Sequence, residues 1–387
     1  MDIKEPLRNL QEHLEHNEYR GYDPYDALKS PLFRLPIFKK SKLLRFGIQQ
    51  LVKRFPFNIR PLLLISKGLN PVSLGLSIQA YAYLIISEPD KKDFYIEKIR
   101  SLEEELTHLI PEGYSGACWG YDFDWEARYA KIPAYQPTVV ATGIIVNSLY
   151  SAWKITGRES LKRLVVSSAD FVLKDLNRSY EDEKLCFSYS PFDNQKVFNA
   201  SMKGVRILAQ VYSLTESESA KMVARQAVEY VIQNQNQDGS WYYSQAKKGN
   251  WIDNYHTGYV LDCLNEYIEL CKDQTFNENL LSGFEFYKHN FFSRNGKPSF
   301  YSDNIYPIDC TSASQSILTL LRFKEYDLAK KVANWTIENM QDESGYFYFR
   351  KFKWYTLKTS FMRWSNAWMF AALSNLLMYQ ETKIIKA

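Results

Sequence analysis

Six short polar clusters recur along the chain, and each opens an apolar run. They are Asn70-Pro71, Gln136-Pro137-Thr138, Asn199-Ala200-Ser201, His256-Thr257-Gly258, Thr311-Ser312 and Trp364-Ser365-Asn366. They stand roughly 54 to 66 residues apart, which is the length of one helical hairpin with its loops in a repeat architecture. Six hairpins of this kind close into a ring, and ring closure brings all six cluster ends to one face, around one cavity.

The stretches between the clusters alternate in character. Leu74 to Ile86 is nearly all apolar, as a helix buried on every side must be. Lys91 to Leu109 is amphipathic, with Phe94, Ile96, Ile99, Leu102 and Leu106 at helical spacing. The alternation continues with Val139 to Trp153 against Glu159 to Leu176, and Val205 to Leu214 against Ser217 to Ile232. Tyr259 to Leu270 pairs with Asn277 to Phe292, Ile317 to Leu321 with Tyr326 to Met340, and Ala367 to Tyr379 ends the series. No hairpin of this type buries its apolar face alone, so neighbours must stack. The pattern predicts an all-α fold, an (α/α)6 toroid over residues 67–387. Residues 1–66, punctuated by Pro31, Pro36, Pro56 and Pro61, read as an N-terminal helical extension. Strand-like alternation is confined to short stretches such as Tyr346-Phe347-Tyr348-Phe349, read as loop hairpins.

Long loops rich in Gly, Asp and aromatics precede the inner runs: Glu112 to Pro137, Arg178 to Asn199, Gln235 to His256, Arg294 to Thr311 and Asp342 to Trp364. Loops this long are uncommon unless functional. The helix N-termini on that face add unpaired N–H donors and partial positive charge, which favours an anionic ligand. Aromatic residues make up 16% of the 387 residues, with 28 Tyr and 9 Trp. Their apolar faces and polar tips suit the wall of a half-wet cavity.

The remaining composition mostly excludes. A net charge of +4 and the lack of a long basic tract give no footprint for nucleic acid. The Lys39-Lys40-Ser41-Lys42 cluster reads as a solvated helix start rather than a nucleic-acid or lipid patch. Five Cys with no CxxC pair read as free buried thiols in a reducing compartment. The first residues carry no apolar signal core, and no run reaches the ~18 apolar residues of a membrane span. The expectation is a cytoplasmic protein without an integral membrane segment. Walker A and Rossmann glycine fingerprints are missing. Cys310 beside Asp309, with His256 far in sequence, is the one faint candidate for the Cys/His zinc site of related toroids, and the disfavoured reading. The reading therefore includes no cofactor and no metal.

Gln235-Asn236-Gln237-Asp238-Gly239-Ser240-Trp241 resembles the Q-x-x-D-G-S-W element of α/α-toroid proteins such as terpenoid cyclases, and Gln341 to Phe347 is a weaker copy. The resemblance implies a structural role: Gly makes the turn, Gln caps a helix end and Trp packs over it. Other stretches resemble uncharacterised toroid proteins associated with bacterial surface polysaccharides. These are Cys118 to Trp125, Trp251 to Gly258, Tyr306 to Asp309 and Met362 to Trp368. Six-hairpin barrels also host glycosidases, polysaccharide lyases, unsaturated-uronyl hydrolases and sugar epimerases, so this resemblance specifies fold better than reaction. Asp122-Phe123-Asp124-Trp125 departs from the D-x-D-D acid motif of squalene-cyclase-type toroids at its last position, which disfavours cationic cyclisation.

Four constellations carry chemistry. Asp122 and Asp124, with Glu126 and Arg128, lie among Trp119, Tyr121 and Trp125. They form either an acid/base carboxylate pair under sugar-stacking aromatics or a loop of turn caps paired to Arg128. Asp253, Tyr255 and His256 stand at an inner-helix start beside Trp251. His256 is a candidate general acid or base, Tyr255 a proton donor, and Asp253 either a third partner or an N-cap. Asp309 stands with Tyr306. Arg363, beside Trp364, is either an anion clamp or the partner of a loop acid such as Asp309. Tyr189 and Asn199 line the same face. Tyr22, Asp23 and Asp26 either reach over the rim or, in the favoured reading, form a turn.

The leading expectation is a carbohydrate-active protein of bacterial surface-polysaccharide biosynthesis or modification. It would act on an oligo- or polysaccharide, uronate-bearing or otherwise anionic, as an epimerase, lyase or hydrolase, with contact to polysaccharide assembly proteins. The alternatives are a non-catalytic glycan-binding or assembly module, and an isoprenoid-binding toroid with a dry apolar cavity.

Overall fold

Each apolar run becomes a helix buried on nearly every side, and each amphipathic run a helix with one wet face. The computed structural model describes residues 2–126 and 131–386. The helices are α1 (Lys4–His16), α2 (Pro36–Lys40), α3 (Lys42–Arg54), α4 (Pro71–Ser87), α5 (Lys92–His108), α6 (Val139–Thr156) and α7 (Glu159–Asp170). They continue as α8 (Phe198–Thr215), α9 (Glu218–Gln233), α10 (Asn254–Cys271), α11 (Asn277–Asn290), α12 (Cys310–Arg322), α13 (Tyr326–Met340) and α14 (Trp368–Lys386). Helices α4, α6, α8, α10, α12 and α14 pack on one another in that order, and α14 packs back on α4, so the inner ring closes. Helices α5, α7, α9, α11 and α13 lie outside it. The chain is an all-α (α/α)6 toroid.

The sixth outer position is filled by α1. Two copies of one turn show this. In the turn after α9, Gln235 Nε2 donates to Gly239 O (2.9 Å) and to Asn279 O of the next outer helix, α11 (3.0 Å). In the turn after α13, Gln341 Nε2 donates to Gly345 O (3.0 Å) and to Pro6 O of α1 (2.9 Å). Gly239 (φ 89°) and Gly345 (φ 93°) take the left-handed turn that a Cβ disfavours. A Cβ at Gly239 would strike Ser282 O of α11, and one at Gly345 would strike Asn9 O of α1. Pro6 and Asn9 in α1 thus stand where Asn279 and Ser282 stand in α11. Trp241 closes its turn as the resemblance implied, buried, with Nε1 on Val231 O (3.0 Å). Residues 1–66, expected as a helical lead-in, therefore include an outer helix of the ring.

Ile3, just before α1, and Leu7, Leu10 and Leu14 of α1 are buried in the main core. Its far end is tied to α4 and α5: Tyr81 Oη donates to Glu15 (2.7 Å), and Lys98 pairs with Glu15 (3.2 Å). First and last stretches of the chain thus share one seam.

Between α1 and α4 the chain folds into a small cap on the cavity face. The strands β1 (Arg20–Gly21) and β2 (Gly68–Leu69) pair at its base. Ala27, Val52 and Ile65 form a satellite core beneath it. Two further hairpins, β3 (Trp125–Glu126) with β4 (Lys131–Ile132) and β5 (Arg178–Glu181) with β6 (Lys184–Phe187), lie in the long loops. A three-stranded sheet, β7 (Ile308–Asp309), β8 (Tyr348–Lys351) and β9 (Thr356–Ser360), joins them there. Among the described residues, no helix is long and apolar enough to cross a membrane. The five Cys are free and buried.

Two outcomes test the seam. Leu10→Ala is expected to cost about 2–5 kcal/mol in urea unfolding, as for a fully buried core leucine; a cost near zero would make α1 a detachable arm. His13 on α1 is held neutral: burial, with Lys67 nearby, pushes its pKa from 6.5 down to about 4. The unfolded chain gains that proton below about pH 6.5, while the folded chain resists until about 4, so stability falls across that window as the pH drops. His13→Phe is expected to flatten that part of the stability–pH curve relative to the parent protein. Parallel curves would show that His13 does not drive the change.

Candidate active site

Side chains cap four of the six inner helices. Asn70 Oδ1 accepts from Val72 N (3.1 Å), and Thr138 Oγ1 from Ala141 N (3.0 Å). Asp253 Oδ1 accepts from His256 N (3.0 Å), and Asp309 Oδ1 from Thr311 N (3.0 Å) and Ser312 N (3.3 Å). Helix N-termini expected to greet an anion have thus spent donors on their own caps, two of them carboxylates. Dipole attraction at these ends is largely satisfied from within.

The inner helix ends surround a cavity of ≈ 720 Å³. Val140 of α6, Asn199 of α8, Tyr255, His256 and Tyr259 of α10, Thr311 of α12 and Trp368 of α14 reach it. Arg363 and Trp364 arrive on a wide π-type turn, Met362–Ala367, which leads into α14. Such turns re-aim side chains inside a helix. The long loops add Tyr121, Trp125, Tyr189 and Trp251, and the N-terminal cap adds Tyr25. Clusters on five of the six inner helices, or residues next to them, converge. The cluster on α4 does not reach the cavity, because Asn70 Nδ2 is bound to Asp122 (2.7 Å).

At the centre of one wall, His256 Nδ1 lies 2.6 Å from Asp253 Oδ2. The same carboxylate oxygen accepts from Trp251 Nε1 (2.9 Å), and Asp253 is buried. With a carboxylate as acceptor the imidazole proton sits on Nδ1, which leaves the Nε2 lone pair for a ligand. One residue thus caps α10, orients His256 and fixes Trp251. Tyr255 packs on His256 with ring centroids 3.9 Å apart. Burial pushes the Tyr255 phenol well above its ordinary pKa, so it stays protonated and acts as a donor. Tyr243 stacks on Trp251 (4.6 Å, 13°) and stands 4.7 Å from His256.

The other expected residues have different surroundings. Trp119 is fully buried away from the cavity, its indole N–H on Leu106 O (2.9 Å). Asp122 is paired with Lys29 (2.9 Å) and Asn70, and Asp124 accepts from Ala134 N (2.9 Å) in its own loop. Neither carboxylate is among the cavity-lining residues. Glu126 is buried against Arg45 (2.5 Å). Arg128 lies outside the described residues. Asp309 is wholly buried, held by Arg350 (2.5 Å) and by Trp364 Nε1 (3.2 Å). Arg363 lines the cavity, but its partner is Asp23, not Asp309. Asp23 takes Nε (2.6 Å) and Nη2 (2.9 Å), so Nη1 is what remains for a ligand. Asn199 lines the wall with Nδ2 buried and without a partner among the described residues.

Sequence reasoning missed Tyr25, Tyr243 and Tyr259. Tyr25 adjoins the Tyr22-Asp23 turn, and Tyr243 follows the Q-x-x-D-G-S-W element by two residues; nothing in their spacing marked a cavity wall. Lys53 of α3 was also missed. It is buried behind Tyr25, with Nζ donating to the phenol (2.5 Å) and burial holding its pKa well below normal. No group of three metal-binding side chains occurs among the described residues. The polar wall of Asn199, His256 and Arg363 departs from the apolar lining expected of an isoprenoid toroid.

No protein-family model and no curated protein sequence matches the chain. Solved structures do match it. A cellobiose 2-epimerase from Spirochaeta thermophila superposes with TM-score 0.58 at 12% identity, covering 82% of this chain and 87% of its own. A GH76 α-mannanase from Bacteroides thetaiotaomicron gives 0.59 at 14%, covering 81% and 87%. An unsaturated glucuronyl hydrolase from Bacillus sp. GL1 gives 0.60 at 10%, covering 96% and 94%. Identities this low establish the toroid fold, which all three share, and leave the reaction open.

Replacing Asp253 separates its roles. Asp253→Ala is expected to cost about 0.5–2 kcal/mol in urea unfolding through the lost cap. Asp253→Asn keeps a capping oxygen and is expected to lie within about 0.5 kcal/mol of the parent. Both should move the imidazole ¹⁵N shifts of His256. Unchanged shifts in both would show that Asp253 does not set the tautomer.

Proposed function

We propose that this chain is a carbohydrate-active enzyme. It would remove or deliver a proton at a sugar carbon next to a carbonyl or carboxylate, as in epimerisation or β-elimination. The observation that carries the reading is the Asp253–His256 pair, with His256 lining the cavity beside the protonated Tyr255. His256 takes the carbon-bound proton, and Asp253 stabilises the imidazolium that forms. Tyr255 donates to the oxygen on which negative charge develops.

Hydrolysis through two carboxyls is the weaker reading. It needs a pair facing each other across a bond, about 5–9.5 Å apart. Among the described lining residues Asp193 supplies the carboxylate, and it is spent on its own turn. Its Oδ1 accepts from Tyr189 N (3.2 Å) and Gln195 N (2.9 Å), and its Oδ2 from Ser190 Oγ (2.5 Å). The substrate in this proposal is an oligo- or polysaccharide. Trp125, Trp251, Tyr243 and Trp364 offer stacking faces. Arg363 Nη1, with Lys196 and Lys248 in the wall, supports a uronate or other anionic sugar. A role in surface-polysaccharide biosynthesis in the cytoplasm, with assembly proteins as partners, belongs to the same proposal and rests on the sequence resemblance.

The test is an NMR time course in heavy water with uronate-bearing and neutral oligosaccharides. Epimerisation is expected to place deuterium on the inverted sugar carbon, and β-elimination to give a new double bond at a carbon that carries no hydrogen. His256→Gln is expected to slow this by about 10²–10⁴-fold while the protein stays folded. New reducing ends with neither deuterium at carbon nor a new double bond would point to hydrolysis and overturn the reading. Line broadening without exchange would leave a binding module.

A further inference from the structure

Helix α3 is built inside out. Gln49, Val52 and Lys53 face the cap's interior and are buried. Leu43, Gly47, Leu51 and Arg54 repeat at four, four and three residues and form the opposite face. On that face Leu43 is 80% exposed and Leu51 60%. The connection from α3 to β2 continues the pattern: Phe57 is 61% exposed, Leu62 77% and Leu64 64%. Seven of the eight strongly exposed leucines among the described residues fall between residues 32 and 64; the other is Leu281 on α11. Isolated exposed leucines are ordinary, but a run of them on one small unit marks a contact surface.

Charge identifies the contact. Between Asp26 and Glu88 the chain has ten Lys or Arg and no carboxylate side chain. Some of these cations point inward, as Lys29, Arg45 and Arg60 do in their ion pairs. Lys40, Lys42 and Arg54 are exposed beside the leucines. Outward leucines interspersed along the sequence with exposed cations, on a helix too short to span a bilayer, fit a surface that is apolar inside and anionic outside.

We propose that residues 31–64 dock the protein onto an anionic lipid bilayer, with Leu43, Leu51, Leu62 and Leu64 entering the headgroup–acyl boundary. Lys40 and Lys42, from the cluster that reads as a solvated helix start in the sequence, become part of a lipid-facing surface. This inference stands apart from the reaction proposed above, since none of these residues lines the cavity. The inner face of α3 nevertheless meets the cavity wall through Lys53 and Tyr25, so docking occurs next to the cavity.

The test is co-sedimentation of the full chain with vesicles of phosphatidylcholine alone, or of phosphatidylcholine with one third phosphatidylglycerol. Binding to the anionic vesicles is expected, weakened by high salt. It should fall at least about tenfold in Leu43→Ser/Leu51→Ser, while Leu281→Ser binds like the parent. Equal binding to neutral vesicles, no binding, or equal loss in Leu281→Ser overturns the proposal. So does a dimer in sedimentation equilibrium that the double substitution dissolves without any vesicle binding, because the leucines then cover a second copy.

Discussion

A helix buried on nearly every side must be surrounded by other helices, and six such helices form the inner ring of this chain. Helix α4 buries nearly every residue from Pro71 to Ile85. That constraint forces the ring to close, with α14 against α4, and requires an outer helix at every position. The outer place beside α14 is taken by α1. The seam between start and end is therefore part of the core. Gln341 and Gly345 hold it through the same turn that Gln235 and Gly239 use between α9 and α11.

Closure also dictates where chemistry can occur. Short turns join each inner helix to the following outer one, and the long loops all collect at the other end. That end would carry the unpaired N–H groups of six helices if nothing capped them. Asn70, Thr138, Asp253 and Asp309 do so, which makes the cavity floor less electropositive than bare helix ends. Most rim charges are paired as well: Arg363 with Asp23, Arg350 with Asp309, Arg60 with Asp26 and Asp122 with Lys29. Removing one partner of a buried pair costs about 3–5 kcal/mol, so these pairs hold loops in place and are poor candidates for proton transfer. His256 differs because its partner binds one ring nitrogen and leaves the other free.

The cap between α1 and α4 joins these two themes. It supplies Asp23 to Arg363, Lys29 to Asp122 and Arg45 to Glu126, so the loops of the cavity wall lean on it. Its own core is small, and its leucines point outward. One unit thus presents Tyr25 to the cavity on one side and an apolar, cationic surface on the other.

Much of the fold was legible without coordinates, because burial on all sides and burial on one side leave different patterns along a helix. The six clusters marked the inner helices, and the Q-x-x-D-G-S-W element behaved as a turn. His256, Tyr255 and Asp253 were legible as a cluster because three chemically distinct residues stand at one helix start, where local geometry alone brings them together. Pairings across the ring were beyond reach. Asp122 and Asp124 sit among aromatics in sequence, yet the fold turns them to Lys29, Asn70 and a backbone N–H. Arg363 finds its acid 340 residues away. That α1 belongs to the ring, that Tyr25 reaches the cavity and that the leucines of α3 face outward were likewise settled by tertiary contacts. Sequence periodicity states which face of a helix is apolar; only the packed neighbours decide whether that face is covered.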